Sequence, residues 1–202
     1  MPKLNSDTVS IGLRAKTGRA IAVVLTGSSD SPRVMKRTQL TLTDPRTPAT
    51  SQPYHEVMDL PWEQAQVAVR KTAKLIEKAA SKSLRRLVQE MQSEGLKVRG
   101  VGIVGAGNRN LEKIGSTHIR AHAAEGVLFR QVLEVAAKSN DLWSRTFDEK
   151  RLDEIAEREL NYSAAKLNNR LVDIGRSVGS PWRADEKAAA LSAWLILAAN
   201  PD

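Results

Sequence analysis

Val9-Ser10-Ile11-Gly12-Leu13, Ala20-Ile21-Ala22-Val23-Val24-Leu25 and Val34-Met35-Lys36-Arg37-Thr38-Gln39-Leu40-Thr41-Leu42 are three β-rich runs within the first 42 residues. The first is short, the second is apolar throughout, and the third alternates in the manner of a half-buried strand. Arg14-Ala15-Lys16-Thr17-Gly18 and Gly27-Ser28-Ser29-Asp30-Ser31-Pro32 separate them and read as turns. Three consecutive antiparallel strands is the economical reading.

Beyond this meander the pattern changes twice. Residues 43–61 hold Pro45, Pro48, Pro53 and Pro61 and little apolar content, so they read as a loop long enough to carry function. From Pro61 to Glu94 the period is helical: Val69, Ala73, Ile76, Ala80, Leu84, Leu87 and Met91 recur at steps of three and four and form one stripe. Pro61 suits the first turn of that helix and Gly95 its stop. Lys97 to Val104 returns to strand character. A second helix is expected from Ser116 or Thr117 to about Lys138, and a fifth strand over Leu142 to Phe147. Residues 148–175 read as helical, and Ser180-Pro181 reads as the cap and first turn of a last helix ending near Ala199. Three antiparallel strands followed by helix-linked strands predict an α/β fold, a mixed five-stranded sheet covered by helices.

Composition bounds the rest. A chain of 202 residues with 41% hydrophobic and 27% charged side chains is long enough for one domain, taken here as 1–202, and too apolar to be disordered. With no cysteine there is no disulfide scaffold, thiolate metal site or cysteine nucleophile. The start has no apolar run of the secretory kind, and the longest apolar stretch, Ala188 to Ala199, is well short of the about 20 residues a membrane span needs. The expectation is a cytoplasmic protein with no membrane partner.

The net charge of +8 concentrates in one helix. Lys71, Lys74, Lys78, Lys82 and Arg85 follow one another at spacings of three and four, so they share a face roughly opposite the apolar stripe. Between Gln66 and Gln89 there are seven basic residues and one acid, Glu77. A solvated helix face usually interleaves acids to limit repulsion. A row left uncompensated points to a phosphate backbone as the counter-charge. Arg14, Lys16 and Arg19 make a second basic candidate for nucleic-acid contact. A plain surface face and an acidic protein partner are the competing accounts.

Other motifs carry less. Gly100-Val101-Gly102-Ile103-Val104-Gly105 contains a GxGxxG, but its first two glycines fall inside a strand and no helix opens directly after it, so close approach of another backbone is the better reading than a dinucleotide site. His118, His122 and Glu125 fall on one helical face at i, i+4 and i+7, a spacing able to hold a divalent transition metal. Asp185 and Glu186 open the last helix and are the candidate catalytic acids, although carboxylates there also suit the helix dipole. No serine stands in a GxSxG turn, and no Walker A sequence occurs.

Ile11-Gly12-Leu13-Arg14-Ala15-Lys16-Thr17-Gly18, Gly126-Val127-Leu128 and Asp185-Glu186-Lys187-Ala188-Ala189-Ala190-Leu191, taken with the order of strands, resemble the ribonuclease H-like fold of the RuvC-type Holliday-junction resolvases. The resemblance implies a carboxylate on the first strand, another at the end of the fourth, and a pair on the last helix, which together hold two Mg²⁺ ions. In this chain the first-strand position falls on Ser10 or Ile11 and the fourth-strand position near Val104. The last helix keeps Asp185, with Ala188 three residues on. The resemblance therefore implies the fold and argues against the family's hydrolysis.

Three functions are compatible with these readings. The first is a catalytically silent ribonuclease H-like protein that binds nucleic acid through its basic helix and needs no cofactor. The second is a Mg²⁺-dependent structure-selective endonuclease whose acids, Asp185 and Glu186, are joined by Glu125, Asp7 or Asp30. The third is an interaction protein with an acidic protein partner. A homodimer is one expected form.

Overall fold

The computed structural model of the chain describes residues 8–199. Five strands form one sheet: β1 (Thr8–Lys16), β2 (Arg19–Ser28), β3 (Ser31–Thr41), β4 (Lys97–Gly105) and β5 (Ser144–Asp148), in the spatial order β3-β2-β1-β4-β5. The first three are antiparallel neighbours. β4 adds parallel to β1, with Ile11 opposite Val101, and β5 adds parallel to β4. This is the mixed five-stranded α/β sheet expected from the pattern.

The hairpins are tighter than composition suggested. Arg14, Ala15 and Lys16 belong to β1 and pair with β2 up to Lys16 opposite Arg19, leaving Thr17-Gly18 as the turn, with Gly18 at φ 75°. Gly27, Ser28, Ser31 and Pro32 are likewise paired, so only Ser29-Asp30 turn the chain. Two-residue loops let pairing run to the strand ends, even through polar residues, and in the first the positive φ of Gly18 matches the twist of the strands it joins.

Period-two alternation assigns the strand faces. Val9, Ile11, Leu13 and Ala15 of β1, with Val101 and Ile103 of β4, pack beneath α1 (Trp62–Ser93) and α2 (Thr117–Lys138). The stripe anticipated on α1 is buried at Val69, Ile76, Ala80, Leu84, Leu87 and Met91. Ser10, Gly12 and Arg14 point to the opposite face, which is covered by α5 (Ala184–Ala198) backed by α3 (Leu152–Leu160) and α4 (Ala164–Arg176). Two glycines decide how closely α5 approaches. A Cβ on Gly12 would stand 1.8 Å from the Ala189 carbonyl oxygen, and one on Gly102 would stand 2.6 Å from that of Ser192. The backbone of α5 thus rests directly on β1 and β4, and Ala189 to Leu197 are all buried.

The last helix opens later than Ser180-Pro181. Its first residue is Ala184, and the Glu186 carboxylate accepts the Arg183 backbone N–H at 2.9 Å. Trp182 draws the preceding segment onto α4, with its indole N–H donating to the Leu171 carbonyl at 2.8 Å. Arg37 donates to the carbonyls of Gly179, Ser180 and Pro181. Those tertiary contacts hold 179–182 out of the helix. The Pro-rich loop is also ordered locally: Pro48–Thr50 form a short 3-10 turn, and the buried Thr50 hydroxyl donates to the Thr47 carbonyl at 2.6 Å.

Candidate functional site

The C-terminal ends of β1 and β4 open into a cavity of about 650 Å³ whose lining includes Arg14, Val104, Glu149, Asp153, Asp185 and Lys187. The even-numbered face of β1 delivers Arg14 to it, with Lys16 beside it, and the close seat of α5 delivers Asp185. Arg14 Nη2 lies 2.5 Å from Glu149 Oε2, and its Nε lies 3.4 Å from Asp185 Oδ1. Lys16 Nζ is 3.2 Å from the same Asp185 carboxylate. These four side chains form one alternating network, in which each carboxylate is already neutralised by a cation.

The first-strand residue facing Asp185 is therefore Arg14, and neither Ser10 nor Ile11 as the sequence suggested. Ser10 is fully buried deeper along α5, its hydroxyl donating to the Ala193 carbonyl at 2.7 Å. Ile11 faces the α1–α2 layer. Val104 does line the cavity, as does Ala188. Of the two candidate acids on the last helix, Glu186 is spent on capping and only Asp185 reaches the cleft. Arg14 and Lys16, expected on a free basic turn, are tied into the network, and Arg19 alone of the three is exposed.

The other candidate acids do not converge here. Asp30 lies in the β2–β3 turn, at the opposite end of the sheet, where Arg170 donates to its carbonyl. Glu125 is buried on α2, across the sheet, and Asp7 lies outside the described residues. Among the described residues, no three carboxylates lie within 4.8 Å of one another. Mg²⁺ takes oxygen ligands and favours carboxylate charge. Of the four carboxylates that line the cavity, Glu149 and Asp185 each face a fixed cation, and Asp153 and Glu157 do not join them in a cluster of three that would fit such ions.

The row on α1 is exposed as anticipated. Lys71, Lys74, Lys78, Lys82 and Arg85 all face solvent. Lys74 pairs with Glu77 at 2.8 Å, and Arg85 Nε donates to Asn140 Oδ1 at 3.1 Å. Lys71, Lys78 and Lys82 have no ion-pair partner among the described residues.

Two solved structures have this arrangement of sheet and helices. They are RuvC of Thermus thermophilus by itself and RuvC of the same organism in complex with a Holliday junction substrate. Each superposes with a TM-score of 0.51 over 93% of this chain, covering 92% and 91% of the RuvC chains respectively, at 9% sequence identity. The fold is ribonuclease H-like. No family model matches the chain, and no curated protein matches it in sequence.

Within this ribonuclease H-like frame, the glycines of the GxGxxG motif are explained by packing. A Cβ on Gly100 would meet the Trp143 ring at 2.5 Å, and Gly102 admits α5. No helix of the described residues is long and apolar enough to cross a membrane.

A second constellation lies on the α1–α2 side. The first turns of α2, capped by Ser116, carry His118 and His122, with Nε2 atoms 3.2 Å apart. The loop between β3 and α1 brings His55 against them, with ring centroids 4.3 Å from His122 and 5.2 Å from His118. Ligand nitrogens of the three rings all fall within 4.8 Å of one another. Glu125 is not the third member of this cluster. It is completely buried behind it, where Oε1 is 2.8 Å from His55 Nδ1 and accepts the His55 backbone N–H at 3.3 Å. Glu125 Oε2 and His55 Nε2 are buried with no hydrogen-bond partner. Beside the cluster Tyr54 stacks on Trp62 at 5.6 Å, and burial pushes its phenol above the ordinary value. Sequence spacing found two of the three histidines. The available signal for the third was that the chain has only three, one of them in the long loop.

Proposed function

We propose that this chain is a nucleic-acid-binding protein that keeps the ribonuclease H-like fold without two-metal hydrolysis. The observation that carries the binding reading is the exposed basic row of α1, in which Lys71, Lys78 and Lys82 have no ion-pair partner among the described residues. Phosphates supply the counter-charge, and affinity then comes largely from release of condensed cations, with no sequence preference. The solved RuvC complex with a Holliday junction substrate supports this reading by showing a polyanion on the same fold. The reading of silence rests on the cleft: Arg14 and Lys16 neutralise Glu149 and Asp185, and among the described residues no three carboxylates converge to hold Mg²⁺. A homodimer belongs to the same reading, and sedimentation at the concentrations of the binding assay checks it.

Fluorescence anisotropy with a labelled duplex tests the binding surface. For duplex DNA, log affinity falls against log salt with a slope of about 0.9 per phosphate neutralised. Lys78→Gln combined with Lys82→Gln is expected to weaken binding equally across sequences and to lower the slope by about two. Absence of affinity at low salt, or an unchanged slope in the double variant, would refute the α1 surface.

A further inference from the structure

We propose that His55, His118 and His122 bind one divalent transition-metal ion, zinc being the type case, with Glu125 as a positioning residue that orients His55. The proposal does not depend on nucleic-acid binding.

Distances come first. With Zn–N near 2.05 Å and tetrahedral angles, two nitrogen ligands of one ion stand about 3.3 Å apart. The His118 and His122 Nε2 atoms are already 3.2 Å apart, and the three rings offer nitrogens within 4.8 Å of one another. The i, i+4 pair comes from one rigid helix, so only the His55 ring need adjust.

Unsatisfied atoms supply the second argument. A hydrogen bond between His118 and His122 accounts for those two nitrogens in a metal-free protein. It does nothing for His55 Nε2, which is buried and has no hydrogen-bond partner among the described residues. A buried polar atom without a partner carries an uncompensated desolvation cost. A cation in the cluster removes that cost, because a metal takes the lone pair of neutral imidazole.

Orientation is the third. A metal-bound histidine commonly donates its other ring N–H to a carboxylate, which fixes the tautomer and raises the basicity of the ligating nitrogen. Glu125 Oε1, 2.8 Å from Nδ1, places the proton on Nδ1 and leaves the Nε2 lone pair free to take an ion. Its charge also offsets that of the ion. Glu125 is 0% exposed, yet Oε2 has no partner, which a hydrogen-bonding role alone does not explain.

The donor set selects the ion. Three imidazoles suit Zn²⁺, Co²⁺, Ni²⁺ or Cu²⁺ and are poor ligands for Mg²⁺ or Ca²⁺, which take oxygen. His118 and His122 are exposed, so a fourth position opens to solvent and is filled by water. When bound, the ion ties the loop after β3 to the start of α2.

Titration of Co²⁺ into the untagged, chelator-treated full chain tests this. We expect a saturable visible spectrum of tetrahedral type at one equivalent, its loss on adding one equivalent of Zn²⁺, and a higher melting temperature with Zn²⁺. His122→Ala, at an exposed position, is expected to fold and to lose the spectrum. Glu125→Gln is expected to lower Zn²⁺ affinity about 10–100-fold while the melting temperature of the metal-free protein is not lowered. A wild-type protein with no saturable Co²⁺ spectrum would overturn the site, as would a His122→Ala variant that binds equally well. Unchanged affinity in Glu125→Gln would overturn the positioning role.

Discussion

Two polar clusters sit on opposite faces of one sheet, and they differ in how completely their atoms are paired. In the cleft, Arg14, Lys16, Glu149 and Asp185 neutralise one another, and the nearby Glu186 caps its helix. In the histidine cluster, a wholly buried carboxylate keeps one oxygen unpartnered and a buried ring nitrogen has no partner at all. Buried polar groups are ordinarily hydrogen-bonded, so two orphaned atoms beside a cluster of three imidazoles call for an explanation that a bound ion supplies. By that criterion the Arg14–Lys16–Glu149–Asp185 network leaves no orphaned atom for an ion, and the proposed ion belongs across the sheet.

The cleft side breaks most completely through its support. Gly12→Ala sets a Cβ against the Ala189 carbonyl, which is backbone and cannot rotate away, so α5 must lift and carry Asp185 off Arg14 and Lys16. A loss of about 3 kcal/mol is expected from overpacking of this kind, read by urea unfolding.

Removing an acid from each cluster tests the contrast itself. Asp185→Ala leaves Lys16 without its partner and is expected to cost about 1 kcal/mol, since these side chains are 34% and 36% exposed, with the loss shrinking as salt rises. Glu125→Gln in the metal-free protein is expected to cost nothing, because it replaces a buried carboxylate that pairs with only one of its oxygens. Matching losses in both variants would erase the distinction between the clusters.

The smallest expected loss comes from another carboxylate, paired like those of the cleft. Glu159 on α3 makes a bidentate contact with Arg145 on β5, at 2.6 and 2.7 Å, and that hydrogen bonding holds its carboxyl below the ordinary range. A carboxylate with a depressed folded value contributes stability that is present above its unfolded value, near pH 4.3, and is lost as pH falls through the folded value. Glu159→Gln is expected to cost about 0.5 kcal/mol at pH 7 and to match wild type at the acid end, in unfolding curves recorded across pH.

How much of this could be read in the sequence depends on distance along the chain. The α1 stripe and the apolar strands were legible because burial imposes a local period on them. Gly102 was legible as a close-approach position, since a glycine within an apolar strand has few other uses. The extension of β1 to Lys16 was not, because Arg14 and Lys16 are polar for a reason 171 and 169 residues away, at Asp185. Ser180-Pro181 carried the local signature of a helix start, but contacts of Trp182 and Arg37 overrode it. His118 and His122 were found by helical spacing. His55 was missed because a Pro-rich loop has no period, and Glu125 was on the right face but in the wrong role, since burial separates a positioning group from a ligand.

The most direct test of the central claim, binding without hydrolysis, is to incubate the protein with an end-labelled branched duplex at low salt with Mg²⁺ or Mn²⁺ and follow retention and strand length in the same sample. The account predicts that the DNA is bound and every strand stays intact. Cleavage by the wild-type protein that disappears in Asp185→Ala would contradict it.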